Sequence, residues 1–171
     1  MSRLKLTIYP DSLLREKSER IEDIDDRIVT LVGDMIDTMH RAKGIGLAGV
    51  QVGVLERLFI AHVEGDMPRV FINPTIIETS LGQIDYEEGC LSIPTVYADV
   101  TRPAAVRIQA WNERGRPFTI DAEGMLGRVI QHELDHLNGI VFLDHLTEDV
   151  RLDVMADYDK SVDPATASRG R

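Results

Sequence analysis

Between positions 27 and 42 apolar residues recur at helical spacing. Ile28, Leu31, Val32, Met35, Ile36 and Met39 share one face, and acidic residues crowd the start as a helix dipole favours. The pattern predicts a core-facing helix. From Gly53 onward the texture changes to short β-branched or alternating runs, RLFIAHV, RVFINP, TIIET, TVYADV, AAVRIQAW and RPFTI, separated by Gly, Pro, Asn and Asp. These read as short, mostly antiparallel strands. A second helix is expected over 123–137, capped by Asp121 and stopped by Asn138-Gly139, and a third, weaker one over 148–158. Strands in one run between helices argue for an α+β fold rather than alternating α/β. The arrangement expected is strands around a central helix, with an N-terminal core helix and a C-terminal helix. No repeat or low-complexity block interrupts the chain, so residues 1–160 read as one catalytic-sized domain and 161–171, SVDPATASRGR, as a flexible tail.

Composition narrows the functional classes. With 171 residues, 43% hydrophobic and 28% charged, the chain can bury a core without staples. Lys and Arg number 19 against 29 Asp and Glu, a net charge of −10, so counterion release from nucleic acid cannot drive general binding. The opening MSRLKLTIYPDSLLREKSERI has no apolar secretory core and nothing later approaches a membrane-spanning run, so a cytoplasmic protein without a membrane partner is expected. The single cysteine, Cys90, cannot form an intrachain disulfide, which leaves it either inert or chemical.

The second helix carries His132-Glu133-Leu134-Asp135-His136, an H-E-x-x-H. Residues four apart on a helix have Cβ atoms about 5–6 Å apart, so both imidazoles reach one ion. Glu133, rotated by about 100° from His132, can serve a reacting water without entering the coordination shell. Met125, Val129, His132 and His136 form one stripe and Leu126, Ile130, Glu133 and Leu137 the next, so the motif faces apolar surroundings, where two unpaired histidines would be costly. A metzincin-type third histidine is absent, because Phe142 stands at that position. A downstream acid among Glu148, Asp149, Asp153, Asp157 and Asp159 is one alternative; Cys90, a soft ligand, is the better one. His40, His62 and His145 have no partner at ligand spacing.

KGIGLAGVQ, beginning at Lys43, satisfies G-x-G-x-x-G, and Glu64 lies about 20 residues on, where a dinucleotide site wants an acid. That fingerprint needs a strand before and a helix after; here a helix precedes and a strand-like segment follows, so a dinucleotide is not expected.

Three blocks stand in order: GIGLAGVQ at 44–51, EGCLS at 88–92 and QHELDHLNG at 131–139. Together they resemble the signature blocks of the peptide deformylases, over most of the chain, with Gly49 where the family usually has alanine. The resemblance implies hydrolytic removal of the formyl group from the N-terminal formyl-methionine of new polypeptides. It implies that Cys90, His132 and His136 hold a divalent metal, commonly ferrous iron, with zinc, nickel or cobalt able to replace it. It assigns Glu133 as general base and the Leu91 backbone N–H and Gln51 amide as donors to the developing oxyanion. Gly46 and Gly89 would let a peptide approach, and Ile45, Met125 and Val129 would line a methionine pocket. Arg128 is expected to wall that pocket with its stem and keep its head in water, and Glu88 and Arg102 to pair behind the site. Some members of the family reach the ribosome through a basic C-terminal helix. The segment 147–160, with five acids and two bases, does not carry that role, which leaves transient ribosome proximity, a monomer and no nucleic-acid contact. A zinc endopeptidase and a noncatalytic structural metal module are the competing readings.

Overall fold

A computed structural model describes residues 4–161. The first helix, α1 (Asp26–Arg41), begins where the Asp25 side chain accepts the Ile28 N–H at 3.2 Å, and it buries Ile28, Val32, Met35 and Met39. The expected 27–42 helix is thus shifted by one residue. It ends as Gly44 N–H donates to Met39 O and Lys43 N–H to His40 O, with Lys43 at φ 58°.

Strands β1 (Gly46–Ala48), β2 (Leu58–Ala61), β3 (Arg69–Thr79), β4 (Gln83–Cys90), β5 (Ile93–Pro103), β6 (Ala105–Trp111) and β7 (Pro117–Glu123) follow, and then helices α2 (Gly124–Leu137) and α3 (Glu148–Ser161). They form a five-stranded sheet, β1-β2-β3-β6-β7, and a separate β4-β5 hairpin, with every pairing antiparallel. The α+β expectation therefore holds.

Strand alternation distributes the helices. In β2, Leu58 and Ile60 join the α1 residues in one core cluster, while Phe59 and Ala61 join Val129, Ile130 and Leu137 of α2 in another. Each face of the sheet thus carries one helix. The hairpin residues Ile93, Val96 and Val100 pack with Phe142, Leu143 and the α3 residues Val154 and Tyr158. Helix α2 is central because one side meets the sheet and the other meets the hairpin.

Several local expectations are corrected. Asp121 does not cap α2: β7 runs on to Glu123, Gly124 at φ 59° turns the chain directly into the helix, and Asp121 pairs instead with Arg107 Nε at 2.7 Å. RVFINP and TIIET are one strand, bent at Asn73-Pro74, where proline cannot join the ladder and the register shifts. Strands β1 and β4 were not expected. Helix α3 runs three residues past Tyr158, to Ser161. The tail proposed for 161–171 lies, beyond Ser161, outside the described residues.

Two helical glycines make opposite predictions. A Cβ on exposed Gly33 of α1 meets nothing within 4 Å, so Gly33→Ala should stabilise the fold by about 0.5–1 kcal/mol through propensity. A Cβ on Gly127 of α2 would lie 2.8 Å from the backbone oxygen of Ala122, so Gly127→Ala should instead cost about 1–3 kcal/mol. Urea unfolding midpoints check both signs.

Candidate metal centre and cavity

One turn apart on α2, His132 and His136 meet Cys90, which arrives at the end of β4. The three ligand atoms lie within 4.8 Å of one another, and Cys90 Sγ is 3.3 Å from His136 Nε2. Ligands at the usual nitrogen and sulfur distances around one tetrahedral ion stand about 3.3–3.7 Å apart, so the set fits a transition metal of mixed imidazole and thiolate preference. Among the described residues no other group of three or more such side chains has this spacing. The acids of α3 considered as ligands, Glu148, Asp149, Asp153, Asp157 and Asp159, are all exposed and outside the set.

Each histidine has a distinct environment. His132 Nδ1 donates to Glu88 Oε1 at 2.9 Å, which leaves Nε2 free for the ion. Burial alone would lower the pKa of His132, but hydrogen bonds to Cys90 and Glu88 outweigh it and raise the pKa well above the usual value. His136 is held well below the usual value by burial, then by the neighbouring His132 and Arg102, so it presents a neutral lone pair.

Glu88 organises the surroundings. It is only 5% exposed, yet it receives Arg102 Nε at 2.6 Å, Arg102 Nη2 at 3.0 Å, Arg128 Nη1 at 2.8 Å and the His132 N–H. Burial pushes its pKa up, but the hydrogen bonds from His132 and Arg102 push harder and hold it well below the ordinary carboxylate range. The Arg128 head is therefore not in water. It is buried, donates also to Val100 O at 2.7 Å and Ile84 O at 2.8 Å, and so ties both hairpin strands to α2. Arg102 continues to Asp135 at 2.9 Å, which also meets His145 Nε2 at 2.7 Å. Asp135 and His145 escaped the sequence reading because neither carries a signal beyond its place in or near the helix motif.

Glu133 stands beside the ligands, with Oε1 4.0 Å from His132 Nε2, and its buried Oε2 has no hydrogen-bond partner among the described residues. Burial raises its pKa to about 7, against the opposing pull of His132. A carboxylate poised near neutrality with an unused acceptor has the properties of a general base.

These groups open onto a cavity of about 420 Å³ lined by Ile45, Gly46, Gly89, Cys90, Leu91, Met125, Val129, His132 and Glu133, among others. The expected substrate residues thus share one wall system. Gln51 is not on it: fully buried, it accepts the Ala48 N–H at 2.9 Å and points Nε2 to Ser92 Oγ at 3.1 Å and Cys90 Sγ at 3.5 Å. Ser92, not singled out from sequence, orients that amide. The glycines act partly inward. A Cβ on Gly46 would lie 2.6 Å from Glu133 Oε1 and 2.7 Å from Val129 Cγ1, and one on Gly89 would strike the Tyr97 ring at 2.5 Å. Edge strands β1 and β4 both contribute to the cavity, so an extended chain could lie between them.

A family model described as polypeptide deformylase matches residues 3–151. The chain is 53% identical over 140 residues to a peptide deformylase of Clostridium botulinum (strain Alaska E43 / Type E3), covering 82% of this chain and 94% of that one. It is 47% identical over 150 residues to a peptide deformylase of Neisseria meningitidis, covering 86% and 89%. Among solved structures, a peptide deformylase from Legionella pneumophila superposes with a TM-score of 0.89 at 38% identity, covering 93% of this chain and 95% of that one. One from Synechococcus elongatus, in complex with actinonin, superposes at 0.88 with 40% identity, covering 91% and 88%.

The Glu88 cluster yields a prediction. Glu88→Gln leaves two buried guanidiniums without their shared anion and should cost about 3–5 kcal/mol in urea unfolding. Metal affinity should fall about 10- to 100-fold as His132 loses its orienting partner. Unchanged values in both measurements would show that Glu88 is not the organising charge.

Proposed function

The chain belongs to the polypeptide deformylase family, metal-dependent hydrolases that remove the formyl group from N-terminal formyl-methionine, and we propose that Cys90, His132, His136 and Glu133 carry that reaction here. The observation that supports this most is the convergence of one sulfur and two imidazole nitrogens within 4.8 Å at a cavity whose wall includes a buried carboxylate. A divalent ion held by that donor set would supply a Lewis acid and lower the pKa of a water, to about 7 in the best-known zinc cases. The native ion we propose is ferrous iron, with zinc, nickel or cobalt able to occupy the same ligands.

The chain's own groups account for the remaining steps. Glu133 takes a proton from the attacking water through Oε1, the oxygen that faces the metal ligands, 4.0 Å from His132 Nε2. As negative charge develops on the formyl oxygen, the Leu91 backbone N–H donates to it from the cavity wall and the Gln51 amide from just behind Cys90, where the Ala48 N–H and Ser92 fix its orientation. Glu133 then delivers its proton to the departing nitrogen, so one water and one formamide become formate and a protonated amine. Ile45, Met125 and Val129 receive the methionine side chain, while Gly46 and Gly89 keep the backbone path low. Ser92 and Arg128 position rather than react.

This reading includes a monomer working in the cytoplasm on nascent peptides, in transient proximity to the ribosome. The net charge of −10 supports the absence of direct nucleic-acid binding. An endopeptidase using a downstream acid as third ligand is disfavoured by the exposure of every acid on α3.

The decisive experiment measures formate released from a formyl-methionyl peptide, with metal analysis on the same sample. Release that depends on the metal supports the reading; a metal-loaded protein that releases none overturns it. Glu133→Gln should reduce turnover at least 1,000-fold, an order-of-magnitude expectation, while keeping the metal. Gln51→Leu should cost about 100- to 1,000-fold in kcat. Cys90→Ser should lose metal. If iron is native, the nickel-loaded enzyme should outlast the iron form in air, because ferrous iron and its thiolate oxidise; equal half-lives would reject iron as the labile native ion.

A further inference from the structure

The Gln51 amide is held in place from outside the cavity wall. Its Nε2 donates to Ser92 Oγ at 3.1 Å, and Ser92 lies in the two-residue turn, Leu91-Ser92, between Cys90 and its ladder partner Ile93. The N-terminal segment spans both residues. Thr7 N–H donates to Gln51 O at 2.7 Å and Tyr9 N–H to Ser92 O at 2.8 Å. Residues 7–9 thus form a strap, with one rung on the residue that carries the amide and one on the residue that orients it.

Helix α3 fixes that strap. Tyr158 is 3% exposed, and its hydroxyl donates to Tyr9 O at 2.6 Å while its ring meets the Tyr9 ring edge-on, with centroids 6.2 Å apart. Tyr9 therefore joins the turn through its N–H and the helix through its C=O. Tyr158 and Ile93, the first residue after the turn, belong to one buried cluster, and Ser161, one helical turn on, accepts Thr95 Oγ1 at 2.6 Å. The last turn of α3 thus grips the chain beyond Ser92 as well. Tyr158 itself does not line the cavity, so any effect on the reaction must pass through other residues. Without its hydroxyl, the Tyr9 carbonyl is left to find water and the strap is free to move with it. A donor to a developing charge works best when its direction is set before the reaction. Resting on the deformylase reading, we propose that Tyr158 is a positioning residue: through Tyr9 and Ser92 it holds the Gln51 amide where the developing oxyanion needs a donor.

The test is a double-mutant cycle on the metal-loaded protein, read as formate release from a formyl-methionyl peptide well below the Tm of every variant. Tyr158→Phe keeps the ring and its packing and removes only the hydroxyl. Its kcat should fall about 5-fold, with KM within about twofold of wild type and bound metal unchanged. The same substitution made in Gln51→Leu should lower kcat by less than about twofold, because the amide it serves is gone. A Tyr158 that only stabilises the fold would reduce the active fraction by the same factor in both backgrounds. Equal losses in the two backgrounds, or a wild-type kcat in Tyr158→Phe, overturn the inference. Failure of the metal-loaded wild type to release formate would instead overturn the deformylase reading itself.

Discussion

The arrangement depends on one buried carboxylate. Glu88 sits where the hairpin, α2 and the metal ligands meet, and it binds Arg102, Arg128 and His132 at once. An isolated anion there would protonate rather than remain charged. With two guanidiniums and an imidazole N–H around it, ionisation becomes the stable choice, and its pKa falls instead of rising. The consequence is mechanical as well as electrostatic. Arg128 reaches from α2 to the backbone of both β4 and β5, so the hairpin that brings Cys90 is held to the helix that brings both histidines. Cys90 lies more than forty residues before the two histidines, yet one ion-pair cluster sets its distance from them.

Close approach is the second constraint. Gly46 lets β1 come into contact with Glu133 and Val129, and Gly127 lets α2 come down on the β7 backbone at Ala122. A methyl at either place would push α2 away from the sheet. The G-x-G-x-x-G pattern thus has a packing cause: its middle glycine admits the Glu133 carboxylate, and Gly49 lies 2.9 Å, measured from its would-be Cβ, from Val54 O. No phosphate is needed to account for these glycines.

What was legible in the sequence was what local spacing encodes. The helix over 27–42 and the H-E-x-x-H helix emerge because apolar residues or ligands repeat at the helical period, β6 because buried and exposed residues alternate along it, and β2 because it is a short apolar run between turn residues. The misses share a non-local cause. QIDYEEGC is too polar to read as a strand; its ladder with β5, together with the Arg128 bond to Ile84 O, holds it extended. Arg128 looked solvent-facing because its partner Glu88 lies forty residues earlier in the chain. Asp121 looked like a cap because capping residues are recognised by type, whereas here the left-handed Gly124 permits a strand-to-helix turn with no cap at all. For the candidate site, the ligands and Glu133 carry local or motif signals; Ser92, Asp135 and His145 act only through contacts that the fold creates.

Charge balance ties the cluster to the cavity. Around α2, the carboxylates Glu88 and Asp135 are matched by the guanidiniums Arg102 and Arg128, so this inner layer is neutral. Glu133 stands outside this layer, beside the Cys90, His132 and His136 set, and burial raises its pKa to about 7. A divalent ion held by that ligand set would bring positive charge next to Glu133 and favour its ionised, proton-accepting form, a task the guanidiniums cannot fill because Glu88 and Asp135 already engage them.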